Sequence, residues 1–94
     1  MNVVGKKILM DFRRQHSDVR GQIDAWLCEV EIAKWKNPNE LKVRYPSASL
    51  LSGKIVIFDI KGNDYRIAAK VNYRNQVILI KKVGTHAEYS KWNF

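Results

Sequence analysis

The sequence predicts an α+β domain in which a pair of N-terminal helices packs on one face of an antiparallel sheet and a short helix closes the chain. Three observations lead there. Apolar residues between 6 and 37 recur at helical spacing, residues 54–83 switch to β-branched runs with period-two alternation, and Thr85-His86-Ala87-Glu88 has the form of a capping box. The 94 residues are 46% hydrophobic, with three Trp, four Tyr and three Phe. That is enough for one modest core and too little for two, so residues 1–94 are read as a single domain.

Asn2-Val3-Val4 is a candidate edge strand. Ile8, Leu9 and Phe12 share one face of a helix from Lys6 to near His16. Ser17 or Asp18 caps a second helix, striped by Val19, Ile23, Trp26, Leu27, Val30 and Ala33. Pro38 should stop it by Asn37, because proline disfavours helical geometry in the residue before it. Residues 38–53, punctuated by Pro38, Pro46, Ser47, Ser49, Ser52 and Gly53, read as a loop pinned to the core by Leu41, Val43, Tyr45, Leu50 and Leu51. Ile55, Val56, Ile57, Phe58 and Ile60 then make a mostly buried strand, followed by a Gly62-Asn63 hairpin turn whose two residues tolerate positive φ. In the next strand Tyr65, Ile67, Ala69, Val71 and Tyr73 alternate with Arg66, Ala68, Lys70, Asn72 and Arg74, placing the first set on the core face and the second on the other. A turn near Arg74-Asn75 leads into a last strand over 77–83 and a C-terminal helix from His86 towards Phe94. All helices are expected on one side of the sheet.

The charge is uneven. Against 17 Lys and Arg stand 9 Asp and Glu, a net of +8. Residues 1–40 contribute 7 basic and 6 acidic side chains, whereas residues 41–94 contribute 10 basic and only 3 acidic, Asp59, Asp64 and Glu88. A field concentrated in this way attracts a polyanion or an acidic protein; the plainer alternative is solubility. No apolar run approaches the roughly 20 residues of a membrane span, and Lys6 and Lys7 interrupt the first seven residues where a signal peptide would be apolar. A cytoplasmic protein is expected.

Several chemistries find no support. His16 and His86 each lack a second His or Cys at ligand spacing, and Cys28 has neither a disulfide partner nor a neighbouring histidine. There is no phosphate-binding glycine loop. Arg66, Lys70 and Arg74 share a strand face at about 13 Å per four-residue step, which suits successive phosphates better than one; a solvated outer face is the alternative. His86 stands at the start of the C-terminal helix with Tyr89 three residues on, so an imidazole and a phenol share a helix side near neutrality, or His86 is simply a surface residue. Neither Arg66 nor His86 is expected to fill the core. Trp26, Trp35 and Trp92 read as packing residues rather than base-stacking platforms.

These residues carry a resemblance. The stretch Val56-Ile57-Phe58-Asp59-Ile60-Lys61-Gly62-Asn63-Asp64-Tyr65-Arg66, followed by Gly84-Thr85-His86-Ala87-Glu88-Tyr89, closely resembles the HigB-type toxins of bacterial toxin–antitoxin pairs. Trp35-Lys36-x-Pro38 and Tyr45-Pro46-Ser47-Ala48-Ser49 match upstream. The resemblance implies a RelE-like fold and a metal-independent mRNA endonuclease, acting on messages engaged by the ribosome and needing no cofactor. It implies Arg66, His86 and Tyr89 as active-site candidates, with Lys61, Asn63 and Lys82 beside them; Lys70 and Arg74 join as RNA-binding candidates from the strand pattern. The implied partner is a helix-turn-helix, HigA-like antitoxin, through which alone the protein would reach operator DNA. The alternative is a non-catalytic module of the same fold that binds an antitoxin or RNA.

Overall fold

In the computed structural model, which describes residues 1–94, strand β1 (Asn2–Val4) meets Gly5, whose φ of 91° turns the chain straight into helix α1 (Lys6–Gln15). A β-carbon at Gly5 would stand 3.0 Å from the Ile80 carbonyl oxygen, so glycine is what lets α1 begin against the sheet. A 3₁₀ turn (Ser17–Val19) leads to α2 (Arg20–Ile32), then α3 (Pro38–Arg44), β2 (Ser49–Leu50), β3 (Ile55–Ile60), β4 (Tyr65–Asn72), β5 (Val77–Thr85) and α4 (His86–Tyr89).

The sheet has the order β1-β5-β4-β3-β2. Neighbours from β2 to β5 are antiparallel as expected, but β1 runs parallel to β5, with Asn2 opposite Val77, so the sheet is mixed. Parallel neighbours need a long crossover, and here nearly the whole domain lies between them. One sheet face presents Val56, Phe58, Ile60, Ile67, Val71, Ile78 and Ile80 to Leu9, Val19, Ile23, Trp26 and Val30 of the helical layer.

Helix α2 ends within its expected limit of Asn37, but a helix stands where the sequence predicts only a loop. Helix α2 stops at Ile32, where the α-ammonium of Met1 donates to the carbonyls of Val30, Glu31 and Ala33 and so satisfies that helix end. The expected loop begins with α3 instead. Asn37 caps it by accepting from the Glu40 amide at 3.0 Å, and the Glu40 carboxylate accepts from the Lys36 amide at 2.8 Å. Pro38 therefore opens a helix at its first position, where its missing N–H costs nothing, and Leu41 becomes fully buried.

The C-terminal helix is a single turn, not a run to Phe94. Its capping box forms as expected, with Thr85 Oγ1 accepting from the Glu88 amide and Glu88 Oε1 accepting from the Thr85 amide. It does not join the other helices. Tyr89 and Trp92 cover the opposite sheet face, packing on Ile55, Ile57 and Ala68. Helices thus lie on both sides of the sheet.

A one-residue slip in β5 prepares that second face. Ala69 pairs with Ile80 but Ala68 pairs with Lys82, so Lys81 is an extra residue. Because side chains alternate with period two, the bulge moves Lys82 and Gly84 onto the face of Ala68 and Arg66, and returns Val83 to the helical layer, where it packs against the main core.

Candidate functional site

Arg66 sits in the middle of the second face. Its register partners are Asp59 on β3 and Gly84 on β5. Its side chain is buried, against the expectation of a surface guanidinium, because α4 and the following residues fold over it. Gly84 permits this closeness: a β-carbon there would lie 3.0 Å from the Trp92 ring and 3.2 Å from Glu88 Cβ. Arg66 Nε lies 3.0 Å from Asp59 Oδ1 in an ion pair whose side chains are only 10% and 17% exposed. Nη1 donates to the Asn63 carbonyl at 2.8 Å and to the Tyr65 carbonyl at 3.3 Å. Nη2 meets Nδ1 of His86 at 3.1 Å.

The last contact fixes chemistry. A guanidinium has donors only, so His86 accepts at Nδ1, and a neutral ring then carries its hydrogen on Nε2. The His86 amide donates to the Asp64 carbonyl at 2.9 Å, so the β3–β4 turn holds both arginine and histidine. Tyr89 completes the group, with its ring centroid 5.3 Å from Arg66 Cζ and 6.5 Å from the imidazole. His86 is exposed and Tyr89 half-buried. One Nη2 hydrogen of Arg66 remains without a protein acceptor. Glu88 is occupied by the capping box, and the Thr85 amide donating to it holds its carboxyl below the usual value.

Arg66, His86 and Tyr89 are therefore together. Asn63 takes part through its backbone carbonyl rather than its side chain. Lys70 and Lys82 are exposed on the same face, Lys70 lining a cleft with Lys54, Asn72 and Asn75, and Lys82 Nζ standing 5.9 Å from the Trp92 ring. Lys61 points elsewhere. It pairs with Asp18 at 3.1 Å, alongside the Tyr65 hydroxyl, which donates to the same carboxylate at 2.7 Å and holds it below its usual pKa. Its φ of 53° belongs to the hairpin turn, where Lys61 and Gly62, rather than Gly62 and Asn63, take the left-handed conformation. Arg74 also departs from expectation: β4 ends at Asn72, and Arg74 lies in the turn beside a cleft it shares with Lys34 and Lys36. No three His, Cys, Asp or Glu side chains come together.

A family model for HigB_toxin, the RelE-like toxic component of a toxin–antitoxin system, matches residues 19–92. The chain belongs to the HigB toxin family. The mRNA interferase toxin HigB of Escherichia coli K12 is 28% identical over 91 residues, covering 95% of this chain and 88% of that protein. The mRNA interferase HigB of Shigella flexneri gives the same values, and that of Escherichia coli O6:H1 is 22% identical over 93 residues, covering 97% and 90%. The α+β architecture agrees with a RelE-like toxin, and membership of a toxin–antitoxin family implies an antitoxin partner. No helix of this HigB-family chain is long and apolar enough to cross a membrane.

Sequence reasoning missed Asp59. Its signal was present: a lone acid in an apolar strand, placed opposite Arg66 by any hairpin centred on Gly62-Asn63.

Proposed function

We propose that this HigB-family toxin is an endoribonuclease that cuts mRNA by 2′-hydroxyl attack without a metal, on messages engaged by the ribosome in the cytoplasm. The observation that carries the reading is Arg66 Nη2 against His86 Nδ1 at 3.1 Å, with the Tyr89 ring beside them on an accessible rim. The names of the relatives, mRNA interferases, support it.

A scissile phosphate on the remaining Nη2 hydrogen places its non-bridging oxygens against the guanidinium, where charge grows as the 2′-oxygen bonds to phosphorus. The bond to the 5′-oxygen breaks, leaving a 2′,3′-cyclic phosphate and a 5′-hydroxyl. The proton lost by the 2′-hydroxyl and the one gained by the 5′-oxygen pass through His86 and Tyr89, with Nε2 the imidazole nitrogen that meets the RNA. Lys70 and Lys82 follow the RNA backbone across the face, while Lys61 and Arg74 serve only RNA extending beyond it.

The partner on this reading is a helix-turn-helix antitoxin whose acidic side chains cover part of the basic surface, and the pair reaches operator DNA through the antitoxin. Cleavage reactions with EDTA, with ribosome integrity controlled separately, test the mechanism. Activity should persist; activity restored only by added metal contradicts it.

A further inference from the structure

Next to Arg66, His86 and Tyr89 lies an aromatic cleft that the chemistry above does not use. Leu50, Leu51 and Ser52 form one wall and Tyr89, Trp92 and Phe94 another, around about 620 Å³. That lies within the roughly 300–1,000 Å³ of small-molecule clefts. Leu50, Leu51 and Phe94 are 44%, 40% and 51% exposed, an unusual concentration of large apolar groups left in water. The rings meet edge to face, Tyr89 and Trp92 at 87° and Trp92 and Phe94 at 83°.

Two cations flank the cleft. Tyr89 is shared with Arg66, and Lys82 Nζ stands over Trp92 at 5.9 Å. A flat apolar ring joined to an anion satisfies both features, whereas an apolar peptide side chain would leave the cations unanswered. We propose that this cleft receives the nucleobase adjoining the phosphate held by Arg66, with Phe94 as the stacking surface, Trp92 meeting the base at its edge, and Lys82 at the neighbouring phosphate. The proposal rests on the nuclease reading and adds a base-recognition element to it.

Binding of adenosine 3′-monophosphate, uridine 3′-monophosphate and inorganic phosphate, followed by NMR, tests it. Trp26 and Trp35, buried in the helical-layer core, provide internal references. Phosphate should shift Arg66 and His86 signals alone; the nucleotides should also shift the Trp92 indole N–H and the Phe94 amide. Phe94→Ala should weaken nucleotide binding by about 5- to 150-fold, the usual range for losing one stacked aromatic, and leave phosphate binding unchanged. Leu51→Ala, which keeps every ring, should weaken it in the same direction. Nucleotides that shift only what phosphate shifts, or a Phe94→Ala variant that binds them normally, overturn the proposal. RNA cleavage is read separately: base binding without cleavage refutes the nuclease reading alone, and cleavage without base binding refutes the cleft alone.

Discussion

Arg66 reaches from the central strand to His86 on the next element, donating from Nη2 to Nδ1 at 3.1 Å. The contact joins a buried ion pair to an exposed imidazole. Asp59 holds the arginine, the arginine sets the histidine's tautomer, and the turn carbonyls of Asn63 and Asp64 hold both residues in place. Stability and activity should therefore be coupled at Arg66 and separable at His86.

Arg66→Ala leaves Asp59 buried without a partner, and breaking such a pair from one side costs about 3–5 kcal/mol. Urea unfolding should show a loss of that size together with loss of toxicity. Removing Asp59 as well, in Arg66→Ala/Asp59→Ala, should recover part of the stability and none of the toxicity. A fully stable Arg66→Ala would mean that the pair is not buried in solution.

Gly84→Ala places a methyl group where the Trp92 ring and Glu88 now lie, at 3.0 and 3.2 Å. Overpacking of this kind costs about 1–3 kcal/mol. Displacement of α4 should be visible as altered Tyr89 and Trp92 signals, and toxicity should fall while the helical-layer core keeps its hydrogen-exchange protection.

Deleting Lys81 removes the bulge residue but leaves Ile80 opposite Ala69 and Lys82 opposite Ala68. Unbroken alternation then keeps Val83 in the helical layer and Lys82 and Gly84 on the second face. The deletion should therefore fold cooperatively, and Lys81→Ala should change stability by less than about 0.5 kcal/mol, as ordinary surface substitutions do. Urea unfolding checks both, and a deletion that fails to fold would show that the two faces need the bulge itself.

The capping box gives α4 a pH dependence of known sign. The Glu88 carboxyl is held below its ordinary 4.5 because the Thr85 amide donates to the charged form. Its stabilising effect is therefore complete above that value and is lost as pH falls through the lowered one. Amide exchange at Tyr89 and Ser90 should accelerate over that acid range, and Glu88→Gln should remove this dependence. Acid-insensitive exchange in the original sequence would contradict the capping assignment.

Much of the architecture was legible in the sequence, for identifiable reasons. Alternation along Tyr65–Asn72 assigned both faces of β4 correctly, and Thr85-x-x-Glu88 located the last helix start. Asn37-Pro38-x-Glu40 carries the same kind of signal for α3, but a proline both ends a helix before it and opens one at its first position, and here it does the second. The bulge at Lys81 was hidden because Val77–Val83 reads as an apolar strand with two lysines in any register. The sequence singles out Arg66, His86 and Tyr89, which the structure brings together, but not their contacts: the burial of Arg66 depends on residues that cross the far side of the sheet, and local pattern cannot report which side a single helical turn takes. Lys61 and Arg74 failed to join the cluster because turn geometry at the strand ends, rather than strand alternation, aims their side chains.

The most direct test of the account is the chemistry of RNA ends after induction of the original protein and of His86→Gln, with thermal unfolding of both measured in parallel. The original protein should produce fragments ending in a 2′,3′-cyclic phosphate and starting with a 5′-hydroxyl. His86→Gln should cut about 10²–10⁴ times more slowly, the usual cost of losing a proton-transferring group, at an unchanged melting temperature. Fragments starting with a 5′-phosphate, or a His86→Gln variant that cuts at the original rate, would contradict it.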